Sequence, residues 1–218
     1  MSESEHTIEI EYFYATFSAY AYIGSAMFME IARAKGAKII HRPFDWRPVI
    51  TAAGPASAPG PINGLTDARR AYFSGREIIR WAEYRGVAII DDRPTRHDNP
   101  LALSSGLVIA AVEAGHSVDA LVHALFQSHW RDDSDLADEA TLAKLTESAG
   151  LDPAPLLAAA LTPAIQAIYE ANTAEAITRS VFGSPTYFVG GDMFYGQDHL
   201  ELVERALEAP FAGDWPPA

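Results

Sequence analysis

The chain has 218 residues, 49% of them hydrophobic, enough for one sizeable core or for one core carrying an inserted domain. Twenty-nine acidic residues against 16 basic ones give a formal net charge of -13, a field that repels phosphate backbones and anionic lipid, so no nucleic acid and no membrane surface is expected as a partner. The absence of cysteine excludes disulfides, thiolate metal sites and a thiol nucleophile of the chain's own; Met1 to His6 lacks the basic and apolar regions of a signal peptide, and a cytoplasmic location is expected.

Residues 7–14 (TIEIEYFY) alternate Ile8, Ile10, Tyr12 and Tyr14 with other residues, which reads as a strand. A helical pattern follows from about Ala19 to Lys35, with Ile23, Met27 and Ile31 at four-residue spacing and Gly36 as a natural stop. Residues 38–44 (KIIHRPF) read as a second strand, so the chain opens as a βαβ unit with a parallel strand pair. Residues 54–64 (GPASAPGPING) are loop, and from residue 66 to about 175 the pattern is helical, with helices expected over 67–85, 101–114, 117–130, 138–149 and 152–172. Thr173 is a candidate cap for a further helix ending at Gly183. Pro185 to Val189 and Asp192 to Tyr195 read as two strands joined by the Gly190-Gly191 turn, and Gln197-Asp198 opens a last helix through Ala209. This order predicts an α/β protein with a thioredoxin-like fold. Its thioredoxin-like domain comprises 1–50 and 176–218, and an all-helical domain, 62–175, is inserted after the second strand.

A fold of this kind places its reactive centre where the first strand meets the first helix, here Ser18-Ala19-Tyr20-Ala21. Oxidoreductases of the fold carry Cys-x-x-Cys at these four positions, a chemistry closed to this chain. A hydroxyl at a helix N-terminus, beside unpaired N–H groups and the positive end of the dipole, is suited to an incoming anion such as a thiolate. A serine there is also an ordinary cap, and the two roles are compatible. At Ser184-Pro185 a cis peptide would present the Ser184 backbone to an extended peptide ligand; an ordinary trans proline is the alternative. In the segment from Tyr195 to His199, Gly196 allows close backbone approach, and Asp198 either caps the last helix or receives an ammonium group. Arg93, Arg96 and His97 form a small basic cluster that either faces an anionic substrate or lies on a surface loop. The seven histidines lack metal-ligand spacing, and no metal is expected.

The segments TIEIEYFYATFSAYAY and VFGSPTYFVGGDMFYGQDHL, with the helical stretch between them, resemble the 2-hydroxychromene-2-carboxylate isomerases, relatives of DsbA and of the kappa-class glutathione transferases. The resemblance implies a DsbA-like architecture and reduced glutathione as a cofactor whose thiol is the nucleophile. By the same resemblance Ser18 holds and activates that thiol, and Ser184, beside cis Pro185, pairs with the glutathione backbone. Tyr195, Gly196, Gln197 and Asp198 then bind the γ-glutamyl end. Asn63 matches an asparagine near the family's active site, and Arg69 and Arg70 fall near basic positions; these two and Arg93 are the cations expected to receive an anionic substrate against the -13 field. The chain departs from the family pattern at Ala15, Ala19, Ala21, Gly64 and His199. The implied function is isomerisation of a small aromatic-derived substrate, with a homodimer as a candidate assembly of this chain. A kappa-like glutathione transferase and an inactive DsbA-like peptide-binding module are the alternatives.

Overall fold

The computed structural model describes residues 8–54, 71–213 and 215–216. Alternation in Glu9–Tyr14 buries Ile10, Tyr12 and Tyr14 on one face, and this strand, β1, lies inside a four-stranded sheet of order β2-β1-β3-β4. It pairs in parallel with β2 (Lys38–Pro43), and antiparallel with β3 (Thr186–Val189), which pairs in turn with β4 (Asp192–Tyr195). Register sets Tyr12 opposite both His41 and Tyr187; the two tyrosine rings stack at 5.3 Å between centroids.

Helix α1 (Ala19–Lys35) connects β1 to β2 and ends at Gly36, whose φ of 62° is the left-handed geometry glycine accommodates freely. Its apolar stripe, Ile23, Phe28 and Ile31, enters one core with Tyr12, Tyr14 and Tyr187. A smaller core on the opposite sheet face is built from Phe13, Phe44, Val49, Ala176, Val181 and Phe188. Its walls are α2 (Trp46–Ala53) and the C-terminal part of the last helix before β3. Helix α2 was not expected from periodicity. Asp45 caps it by accepting the Arg47 N–H at 3.1 Å, and Pro48 in its first turn forfeits no intrahelical bond.

Five helices follow in the order expected: α3 (Glu77–Arg85), entered through a π-helical turn Tyr72–Arg76, α4 (Ala102–Glu113), α5 (Asp119–Asp132), α6 (Glu139–Ser148) and then α7 (Pro153–Ala160). The single helix expected over 152–172 is instead two, α7 and α8 (Pro163–Thr178). Pro163 has no N–H to donate and drives Thr162 into extended geometry, φ -66° and ψ 150°, so it can only begin a helix. Thr173 is therefore inside α8 and caps nothing. Its hydroxyl donates to the Tyr169 carbonyl at 2.9 Å and accepts the Asp45 N–H at 2.9 Å. Helix α8 also runs unbroken past residue 175, where the inserted domain was expected to end. Helix α9 (Leu200–Glu208) closes the fold on the α1 side. Among the described residues no helix is long and apolar enough to cross a membrane.

Candidate functional site

The last residue of β1 is followed by Ala15, Thr16 and Phe17, and α1 begins after Ser18. Three elements fix this short loop. The Trp130 indole of α5 donates to the Phe17 carbonyl at 2.6 Å, and the hydroxyls of Thr16 and of Ser104 on α4 are 2.8 Å apart. The Ala15 N–H donates to Ser184 Oγ at 3.1 Å. Ser18 caps α1: its Oγ accepts the Ala21 N–H at 3.2 Å. The same hydroxyl donates to the Ser184 carbonyl at 3.0 Å. The Ser184–Pro185 peptide is cis, as expected. Sequence positions 18 and 184 are thus in direct contact at the helix start.

The first turn of α1 contains no acidic residue of its own to offset the positive end of the helix dipole; the nearby carboxylates come from other elements, Glu77 and Asp198. Tyr20, one residue into the helix, has its phenol pushed well up, first by burial and then by Tyr195, Glu77 and Asp198. It stays protonated and brings a hydroxyl close to the 195–198 segment, a contribution that sequence reading missed because a tyrosine in a helix reads as core.

The 195–198 segment is held against the same place. The Gly196 N–H donates to the Pro185 carbonyl at 2.9 Å. Gly196 has φ 93°, and a Cβ there would lie 2.3 Å from Asp198 Oδ1, so glycine is required. The Tyr195 ring packs on Phe182 at 4.6 Å, over Gly183, where a Cβ would fall 2.1 Å from the ring. Gln197 to His199 form a 3-10 turn ahead of α9, and neither this turn nor α9 has a side-chain cap. The expectation that Asp198 caps the last helix is therefore corrected: Gly196 leads the turn, and the half-exposed Asp198 carboxylate lies 3.6 Å from His199 Nδ1. Gln197 is buried, with its Cβ against α1 at Gly24. Its amide oxygen accepts from Arg85 Nε at 3.1 Å, while its amide nitrogen is buried with no partner among the described residues. Arg85 also donates through Nη2 to the Gln197 carbonyl at 3.2 Å and pairs with Glu201 at 3.3 Å. This arginine, the last residue of α3, braces the turn from the helical insertion. Its sequence neighbourhood gave no sign of the role.

Arg93 lies on the exposed 91–101 segment, and its guanidinium forms a two-pronged pair with Asp98. The neighbouring His97 packs against the Phe17 ring at 4.6 Å. Asn63, Arg69 and Arg70 lie outside the described residues. Among the described residues no group of three or more side chains has the arrangement of a metal site.

A mixed sheet of order β2-β1-β3-β4, a helix starting at the end of the central strand and a cis proline bonded across to that start define a thioredoxin-fold protein. The chain belongs to the DSBA-like thioredoxin domain family, which matches residues 9–208. Among curated relatives, the 2-hydroxychromene-2-carboxylate isomerase of Sphingobium xenophagum is 28% identical over 202 residues, covering 92% of this chain and 98% of that protein. Among solved structures, a 2-hydroxychromene-2-carboxylate isomerase has a TM-score of 0.77 at 24% identity, covering 92% of this chain and 95% of its own. A probable DsbA oxidoreductase from Streptomyces coelicolor has a TM-score of 0.74 at 21% identity, covering 97% and 93%. At these identities the two structures bear on the fold alone.

Proposed function

We propose that this chain is a glutathione-dependent isomerase of a small aromatic-degradation intermediate of the 2-hydroxychromene-2-carboxylate type, working in the cytoplasm, where glutathione is kept reduced. The observation that carries the reading is the contact between Ser18 and Ser184 at a helix start whose own first turn has no carboxylate. A hydroxyl and a helix N-terminus there favour a bound thiolate over a thiol, and the absence of cysteine leaves redox exchange without its reagent. Bound glutathione would supply the nucleophile that the chain itself lacks. The residues around the site fit such a peptide thiol. Gln197 has a buried amide nitrogen with an unused donor, Tyr20 brings a protonated phenol, and Asp198 is an exposed carboxylate suited to an ammonium group. Ser184, Pro185, Tyr195 and Gly196 would form the wall against which the peptide lies, and Asn63, Arg69, Arg70 and Arg93 would contact the substrate.

Calorimetric titration with reduced glutathione, followed by a turnover assay that counts free thiol, tests the proposal. Saturable binding and isomerisation with no loss of thiol are expected. Consumption of thiol would make the protein a conjugating transferase, and affinity for extended peptides without affinity for glutathione would make it a binding module. Ser18→Ala should lower kcat roughly ten- to a hundredfold, the worth of one hydrogen bond to a charged group, with a smaller effect on glutathione affinity. Unchanged turnover would leave the helix dipole as the sole activator.

A further inference from the structure

His97 and His129 are 32 residues apart in sequence and hydrogen bonded in the fold, with His97 Nδ1 and His129 Nε2 3.0 Å apart. The direction of this bond follows from its far end. His129 Nδ1 lies 2.9 Å from the Ser134 carbonyl, which can only accept, so His129 carries its proton on Nδ1. Neutral His129 then offers a lone pair at Nε2, and His97 must donate to it from Nδ1. The remaining nitrogen, His97 Nε2, is left as an acceptor. It makes no hydrogen bond among the described residues, and the His97 side chain is only partly buried. Both imidazoles are held neutral chiefly by burial.

The surroundings of that acceptor are aromatic and adjoin the helix start. His97 lies on the Phe17 ring at 4.6 Å and edge-on to Trp130 at 5.4 Å, and the Trp130 indole is bonded to the Phe17 carbonyl. Trp46, the first residue of α2, stands edge-on to Phe17 at 6.3 Å. Phe17 and Trp46 are only partly buried, and Phe17 directly precedes Ser18. A planar ring laid on this wall would be next to the nucleophile position, with a fixed acceptor at its edge.

We propose that Phe17, Trp46 and His97 form the subsite for the substrate's aromatic ring, and that His97 Nε2 accepts a hydrogen bond from a hydroxyl on that ring. The proposal rests on the functional reading above and narrows it to hydroxyaryl substrates. A 2-hydroxychromene-2-carboxylate opens to a phenol, which supplies such a donor, and its methyl ether does not.

Binding of 2-hydroxycinnamate and of 2-methoxycinnamate is compared by calorimetry, without glutathione and without turnover. Both probes are planar carboxylates, so the -13 field acts on them alike. The wild-type protein should prefer the hydroxyl compound by about five- to tenfold, the worth of one neutral hydrogen bond. His97→Phe, which keeps the ring on Phe17 and removes Nε2, should bind the two equally. Equal binding by the wild type, or a preference that survives His97→Phe, overturns the proposal. Should that variant fail to fold, the nitrogen-15 resonance of His97 Nε2 in the wild type decides: it moves on adding the hydroxyl compound if the bond forms, and a still resonance overturns the proposal. The glutathione titration and the thiol count are independent of these probes. Failure of the isomerase reading with the hydroxyl preference intact is thereby distinguishable from failure of the subsite.

Discussion

His97 shows how far a single side chain's state is set by its neighbours. Its pKa is lowered from 6.5 to about 4, first by burial and then by His129 and Arg93, with Asp98 opposing. His129 is lowered in the same direction by burial, against the Ser134 carbonyl, Asp133 and Asp135 and together with Arg93. Above pH 6.5 the imidazole is neutral in folded and unfolded chain alike, and this contribution to stability is complete. As pH falls from 6.5 toward 4 the unfolded chain takes the proton first, and stability is lost across that window. Thermal melts at pH 7, 6, 5 and 4 should show a falling Tm whose slope is shallower in His97→Phe than in the wild type; equal slopes would mean that other groups govern the acid limb. None of this was legible in the sequence. His97 read as part of a basic cluster that either faces an anionic substrate or lies on a surface loop, and only the fold brings position 129 to it. Ser18 and Ser184 were legible, because a hydroxyl between a strand and a helix and a proline opening a strand are local patterns with fold-level meaning.

At the level of elements, the strands, α1 and the Gly190-Gly191 turn were readable from alternation, four-residue spacing and turn chemistry. The misreadings fall where one residue type serves two purposes. Thr173 and Asp198 are both good capping residues. Thr173 is inside α8 because Pro163 had already started that helix ten residues earlier, and Asp198 lies within a Gly-led 3-10 turn that has no side-chain cap. The brace from α3 to the Gln197 turn depends on the fork of Arg85, which bonds the side chain and the backbone of one residue at once. Arg85→Met should leave both Gln197 acceptors without that donor, at a cost of about 1–3 kcal/mol. Chemical denaturation measures the loss, and calorimetry should find glutathione affinity reduced more than in Ser18→Ala. Arg85→Lys should recover little, since one ammonium cannot span both acceptors. Full glutathione affinity in Arg85→Met would detach the turn from the ligand site.

On the scale of the whole molecule, the sheet and the helical insertion share structural members. Asn172 on α8 donates to the Pro43 carbonyl of β2 at 3.1 Å, Thr173 bonds Asp45, and Thr16 in the β1–α1 loop meets Ser104 on α4. The buried His41 joins Tyr14 of β1 to Asp119 of α5, at 3.1 and 2.8 Å. One extended core runs from Ile10, Tyr12 and Tyr187 through Leu107, Leu121 and Phe126 to Leu156. Such interleaving predicts a single cooperative transition, with the near-ultraviolet signal of the buried tyrosines and the far-ultraviolet signal of the helices lost together in urea. Two separated transitions would make the insertion a unit that folds by itself.

The Ser18 hydroxyl has one proton, and the fold already uses it. It is donated to the Ser184 carbonyl, while the hydroxyl oxygen accepts the Ala21 N–H. An anion arriving at Ser18 can take the proton only by stripping the carbonyl of its donor. On the proposed function, admission would be a swap: a ligand that offers an N–H to Ser184 as it claims the O–H of Ser18 leaves no carbonyl bare. A simple thiol has nothing to return and would leave a bare carbonyl behind. A thiol carried on a peptide has an amide a few atoms away and completes the exchange. On the proposed reading, the crossing of two serines, 166 positions apart in the chain, would act as a lock that tests for sulfur and amide together.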